Sequence, residues 1–438
     1  MNIQFFSHSS IIIRTGETTL WTDPWTIGKV FNNSWAQFPE VKFDQTLLDE
    51  INAIWISHEH PDHFNIPTLK SFPTWFKEKA TVYFQKTNSD KMEKAFRQLG
   101  FTNIQLLPHR EIVDLDSKTK VYCYQVGIMD SCLATIQGND TILNINDAKI
   151  QKPDCLNIMN DIGKSKILLN QFSIAGFNGF PNFKENLKRE KENTLEEMTE
   201  RHDWLGAEYT IPFASFIYFC CEDNRFINEY ANNPNDVDTF FKKKGKKLLT
   251  LYPGDCVETS KTEAHDSSDS LAKFESDFKR FDSLPFDQSP LIEVETIEKT
   301  FHEFSKRLHT YYPLFILKLL KPVKVYIRDL GSGIEFSIPD QRFKEVVITE
   351  QQTDLSLNSQ PLFFALKFPF GIQTLGVSGR GLVLNNFKNW KYHRIIASLY
   401  NAEIYFRFRY LFRKEFLKFI FSKWTTLIQQ LNAKLKRM

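Results

Sequence analysis

Long uncharged apolar runs are missing from this chain. None reaches the roughly 18 residues that a membrane span needs. Cysteine is scarce: there are six in 438 residues, at positions 123, 132, 155, 220, 221 and 256. That is too few, and too scattered, for a disulfide framework. The first residues lack the basic segment, apolar core and small-residue cleavage site of a secretory signal. Together with reduced cysteines, this gives the expectation of a cytoplasmic protein. An excess of one charge is also lacking. Lys and Arg number 55 against 53 Asp and Glu, so the global basic footprint of a nucleic-acid binder is excluded. No internal repeat or long low-complexity segment occurs.

What is present is a chain long enough for two or three domains, with 42% hydrophobic residues and an abundance of phenylalanine, 41 in all. Much of that phenylalanine must be core, with room left for apolar contact surfaces. "NIQFFSH", "SIIIRTG", "TTLWTD" and "NAIWIS" read as strands. "SDKMEKAFRQLG" reads as a helix closed by Gly100. "TKVYCYQVGI", "SCLATIQ" and "TILNIN" follow as strands, with a tight turn at "GND" (138–140). Strands with helices between them predict sheets covered by helices, an α+β class. Composition changes near 257, where "VETSKTEAHDSSDS" reads as a loop. The expected division is a first domain over 1–260, a polar linker over 261–289 and a smaller αβ domain over 290–438.

The last segment is unusual. From Arg407 onward there are nine Lys or Arg and one acid, Glu415, with aromatic residues interleaved. Such a helix either docks on its own domain with a solvated basic face, or offers a peripheral contact to an anionic membrane or a protein partner.

The strongest local signal is "NAIWISHEHPDHFN", residues 52–65. It concentrates three of the ten histidines behind an apolar strand. Side chains two apart in an extended chain point the same way, so His58 and His60 can aim at one point. Asp62 and His63 follow a proline and turn back toward it. Nitrogen and oxygen ligands so arranged suit one or two divalent ions, zinc or iron. Two such ions could hold a hydroxide at neutral pH and clamp substrate oxygens.

"SHEHPDH" resembles the signature of the metallo-β-lactamase fold superfamily, whose fold is a four-layer αβ/βα sandwich with metals at one edge of two sheets. The resemblance implies that His58 and His60 bind a first metal and that Asp62 and His63 bind a second. It gives Asp62 the role of catalytic proton carrier. "HSSIIIRTGETTLWTDPW" resembles the opening of the branch with ascorbate-6-phosphate lactonase and N-acyl phosphatidylethanolamine phospholipase D. There Asp23 would orient ligands from behind, and His8 would lie close to the site. "ILNINDA" places Asp147 at the carboxylate that bridges the metals. "NQFSIAGF" and "YTIPFASFIYF" resemble the CMP-N-acetylneuraminate hydroxylase branch. The resemblance covers about residues 1–260.

Two positions depart from the pattern. Ile128, in "QVGIMDSC", stands where the superfamily places a third histidine on the first metal. Cys221, in "CCEDN", stands where the second metal's last histidine is expected. A thiolate is a competent ligand. Asp130, Cys132 and His109 are candidate substitutes at the first site. Two metals, one metal or none remain open. The paired Cys-x-His and Cys-x-x-His ligands of a Rieske module are absent from the sequence.

Three functions are thereby expected as alternatives. The first is a hydrolase acting on a small anionic metabolite, phosphorylated or nucleotide-linked, by attack of metal-bound hydroxide. The second is an iron monooxygenase that needs a separate redox partner. The third is a scaffold that kept the fold and lost the metal.

Overall fold

The computed structural model describes residues 1–407 apart from 88, 128, 178, 180 and 181. The chain divides into two compact units. The first comprises Met1–Ala175, Lys184–Cys220 and Arg225–Phe286; the second comprises Gly176–Phe183, Cys221–Asn224 and the chain from Asp287.

The first unit holds two large sheets. One has seven strands in the order Cys256–Glu258, Asn2–Ser7, Ser10–Arg14, Thr19–Thr22, Ala53–Ile56, Thr81–Gln85 and Asn103–Leu107. The other has six, in the order Tyr209–Phe213, Ile167–Gln171, Asp140–Asn144, Asp130–Gln137, Thr119–Val126 and Ile112–Asp114. The last four strands of the first sheet run parallel, as do Asp140–Asn144, Ile167–Gln171 and Tyr209–Phe213 in the second. Gln137 pairs with Asp140 across the expected hairpin turn, where Gly138 takes a φ of 59° that a side chain would disfavour.

The strand sequences are apolar without interruption because both faces of each sheet are covered. Ile11, Ile13, Trp55 and Tyr83 of one sheet meet Cys123, Leu133, Ile142 and Leu169 of the other in the central layer. Their immediate neighbours Ile12, Ile54, Ile56 and Val82 face outward onto the helices Ile66–Ser71, Thr74–Lys79 and Lys91–Gln98. Tyr122, Cys132, Leu143 and Leu168 do the same against helix Lys152–Ile162. The result is helix, sheet, sheet, helix: the four-layer sandwich that the sequence led us to expect.

Residues 261–289 are not a polar linker. They carry the helix Ser268–Lys279, and Phe274 is fully buried in the central core. Its ring stacks on Phe216 at 5.2 Å between centroids. Phe278 and Phe281 pack against Phe38. Only Leu271, Phe274 and Phe278 carry the apolar stripe, and the polar residues around them hide its helical spacing in the sequence.

The second unit has its own core around a five-stranded sheet in the order Arg342–Val346, Ser332–Ser337, Val323–Ile327, Leu355–Leu357 and Gly381–Val383. The apolar face of helix Val294–Tyr311 closes it through Ile297, Phe301, Phe304 and Leu308. Asp223, far upstream in sequence, forms a buried ion pair with Arg380 at 2.9 Å. This unit therefore does not begin at residue 290. The basic aromatic segment beyond Arg407 lies outside the described residues. No described helix is long and apolar enough to cross a membrane.

Replacing Phe274 by Ala should lower the unfolding free energy of the first unit by about 3–5 kcal/mol, the usual cost of deleting a fully buried ring. Urea unfolding measures it. A loss below about 0.5 kcal/mol, typical of a surface position, would make 268–279 dispensable to the core.

Candidate metal centre

The parallel strands Thr19–Thr22 and Ala53–Ile56 end side by side. Loops at the carboxyl ends of parallel strands are where such sheets place ligands. Asp23 follows the first strand with φ 39°, and its N–H donates to Trp55 O at 2.8 Å. Its fully buried carboxylate accepts from Ser57 N at 2.7 Å and Ser57 Oγ at 2.7 Å. It also accepts from His63 Nδ1 at 2.8 Å and from Asn146 Nδ2 at 3.1 Å. A proton held on His63 Nδ1 leaves Nε2 with its lone pair directed into the site.

Asn146 brings in the second sheet. It sits just past Asp140–Asn144 with φ 47°, held by Asn144 Oδ1 on its N–H and by Gln171 N–H on its carbonyl. That turn presents Asp147. Ser131 Oγ donates to Ser57 O at 2.6 Å and Gln85 Nε2 donates to the same carbonyl at 3.2 Å, so the histidine loop is braced from both sheets.

The structure brings His8, His58, His60, Asp62, His63 and Asp147 together. His58 Nε2 lies 2.8 Å from His60 Nδ1 and 4.0 Å from Asp147 Oδ1. His63 Nε2 is 3.4 Å from Asp62 Oδ2 and 3.5 Å from Asp147 Oδ1. His8 Nε2 is 3.3 Å from Asp62 Oδ2. Among the described residues, two overlapping groups could hold a cation: His8, Asp62 and His63, and His58, His63 and Asp147. His8 Nδ1, Asp62 Oδ1, His63 Nε2 and Asp147 Oδ1 are buried without a hydrogen-bond partner. Buried polar atoms are seldom left so. Four of them in one cluster fit a site built to hold metal.

Charge follows the same geometry. Burial works to lower His63, but Asp62, Asp147 and Asp23 around it raise it well above the ordinary histidine value. Burial and the neighbouring His63 push His58 well below that value, which keeps its ring neutral and able to ligate. Burial would raise Asp62, yet His63 and His8 hold it well below the usual carboxylate range. Asp147 is also lowered: burial opposes this, and His63 and His58 outweigh it.

The other sequence candidates fall out differently. Ile128 lies outside the described residues. Asp130 opens strand Asp130–Gln137, and burial together with the charge of Asp147 pushes its carboxyl up to about 6. Cys132 faces the outer helix layer, packed with Tyr122 and Cys155. His109 is exposed and accepts from Gln125 N–H at 2.9 Å. Cys221 is buried in the second unit. It pairs with Asp287 in a β-bridge, and its N–H donates to Asn224 Oδ1. It is in neither cation-competent group. Sequence reasoning missed Ser57, Gln85, Ser131 and Asn146. Only the position of Ser57, between strand and histidines, gave any hint.

The sandwich with histidines and carboxylates at the carboxyl ends of its parallel strands defines a metallo-β-lactamase-fold protein. The comparisons agree. A family model described as "Beta-lactamase superfamily domain" matches residues 2–129. Cytidine monophosphate-N-acetylneuraminic acid hydroxylase of Danio rerio is 23% identical over 275 residues, covering 58% of this chain and 45% of its own. The Homo sapiens protein, described as inactive, is 24% identical over 279 residues, covering 58% and 53%. The chain thus spans about half the length of these curated relatives. Among solved structures, CmlA, a diiron β-hydroxylase from Streptomyces venezuelae, is 15% identical with a TM-score of 0.42, covering 59% of this chain and 54% of its own. An isothiocyanate hydrolase from Delia radicum gut bacteria is 14% identical with a TM-score of 0.45, covering 59% and 99%. Hydroxylases and hydrolases both stand among these proteins.

Asp23→Asn keeps the size of the side chain but removes the charged acceptor behind His63. It should weaken zinc binding about 10–100-fold, as loss of a ligand's outer partner does, with the fold retained. Competition with a chelator of known affinity reads this out, and wild-type affinity in the variant would refute the role.

Proposed function

We propose that the first unit is a metal-dependent hydrolase of a small anionic metabolite, with His58, His60, Asp62, His63 and Asp147 holding one or two divalent ions. The observation that carries this is the set of buried, partnerless ligand atoms on Asp62, His63 and Asp147. When bound, such ions supply Lewis acidity and a water acidic enough to act at neutral pH. The rest falls to the chain. Asp23 holds the His63 ring in one tautomer. His58 stays neutral. Asp62, kept ionised by the imidazoles on either side, has Oδ1 available to take a proton from attacking water and return it to the leaving group. The curated relatives are named for a cytidine monophosphate-linked sugar, which favours a phosphorylated or nucleotide-linked compound as the metabolite.

One observation favours a second reading. The curated relatives are hydroxylases, so an iron-dependent monooxygenation fed by a separate electron donor uses the same residues.

Elemental analysis of the purified chain beside Asp62→Ala, with turnover assayed on sugar phosphates and nucleotide sugars, tests both readings. Zinc or another non-iron ion, hydrolysis by the wild type and a loss of at least about 100-fold in Asp62→Ala support the hydrolase. Iron, with oxygen consumed when a reductant is supplied, supports the second reading. A chain that takes up no metal overturns both.

A further inference from the structure

The sequence resemblance puts His8 close to the site without making it a ligand. It sits between strands Asn2–Ser7 and Ser10–Arg14 and is 1% exposed. Ala214 N–H holds its carbonyl at 2.7 Å, and the Trp25 ring stands edge-on at 5.7 Å. The imidazole is therefore fixed in direction.

Its contact with Asp62 does not have the dimensions of a strong hydrogen bond. Charge-assisted N–H···O bonds run at about 2.7–2.9 Å. The same cluster holds one, from His63 Nδ1 to Asp23 at 2.8 Å. By contrast, His8 Nε2 and His63 Nε2 stand 3.3 and 3.4 Å from the one oxygen Asp62 Oδ2. Ligand atoms about 2.0–2.1 Å from a tetrahedral ion lie about 3.3–3.4 Å from each other. All three donor atoms lie within 4.8 Å of one another. His8 Nδ1 has no partner, so neither nitrogen of this buried ring has a strong hydrogen bond. Asp62 and His63 offer an ion two ligands, and among the described residues His8 completes a group of three with them.

From this geometry we infer that His8 is itself a metal ligand, completing with Asp62 and His63 the site of one divalent ion. The inference rests on the metal-binding reading above and adds to it a third ligand beside Asp62 and His63. Asp62 Oδ2 is then the atom shared by the two imidazoles, which leaves Oδ1 for the proton.

Zinc titration of chelator-stripped chain, beside His8→Asn and His8→Ala, tests it, with far-UV circular dichroism of each metal-free protein confirming the fold. Asn can still donate to Asp62, so it separates ligation from a hydrogen-bonding role. The expected result is loss of one zinc equivalent in both variants, or weakening by at least about 100-fold, the upper end of what an outer partner costs. In cobalt-loaded protein the visible band should shift in both variants, and added imidazole should restore it in His8→Ala. His8→Asn that binds zinc as wild type does, with an unchanged cobalt band, would overturn the assignment of His8 alone. A wild type that binds neither zinc nor cobalt would overturn this assignment and the metal-dependent function together.

Discussion

The buried carboxylate of Asp23 is the contact on which the rest of the centre depends. A charge removed from water costs several kcal/mol unless donors replace the lost hydration. Here Ser57 supplies two donors, and His63 and Asn146 one each. They come from a strand end of one sheet, the histidine loop and the turn beyond a strand of the other. Satisfying one anion therefore fixes three backbone segments and sets the tautomer of a ligand. The left-handed turns at Asp23 and Asn146 are backbone conformations that cost energy in non-glycine residues, and each is held by bonds on both sides.

Outside that bond the centre is under-compensated. Among the described residues, the ion pairs of Asp62 and Asp147 are to imidazoles alone. An imidazole is a conditional cation. His63 faces three carboxylates, and against the effect of its burial their charge raises it well above the ordinary histidine value. Protonating His63 answers that charge only by using up its Nε2 lone pair. A divalent cation answers it and uses the lone pair as well. The same partnerless atoms that would be a defect in a closed core are thus a consistent ligand set.

Much of this was legible in the sequence because its signals are local. Uninterrupted apolar runs in "SIIIR" and "NAIWIS" mark strands covered on both faces, and a two-residue spacing places His58 and His60 together. The residues that failed to show were those whose role depends on distant partners. Asn146 matters only because Asp23, 123 positions earlier, reaches it. His8 was expected close to the site, but its approach to Asp62 depends on contacts 54 positions apart. The helix Ser268–Lys279 was hidden because few apolar residues dock it, among them Phe274 against Phe216 and Phe278 against Phe38. Composition weighs the other positions instead.

The second unit shows why a boundary drawn along the sequence could not have been right. Arg380, 3% exposed at its side chain, pairs with Asp223. Removing one partner of a buried pair costs about 3–5 kcal/mol because the other charge is left behind. Cys221–Asn224 is therefore held to this unit, as Gly176–Phe183 is by Phe177 N–H donating to Val377 O at 3.2 Å, while the chain on either side of each belongs to the first. The same argument bears on Cys221. Its segment is committed by the Asp223 ion pair, by Asn224 Nδ2 donating to Ser378 O at 2.8 Å and by its own bridge to Asp287. Those contacts place it within the second unit. The sequence pattern that nominated Cys221 reads position along the chain, whereas the packing of the segment is set by partners more than sixty residues away.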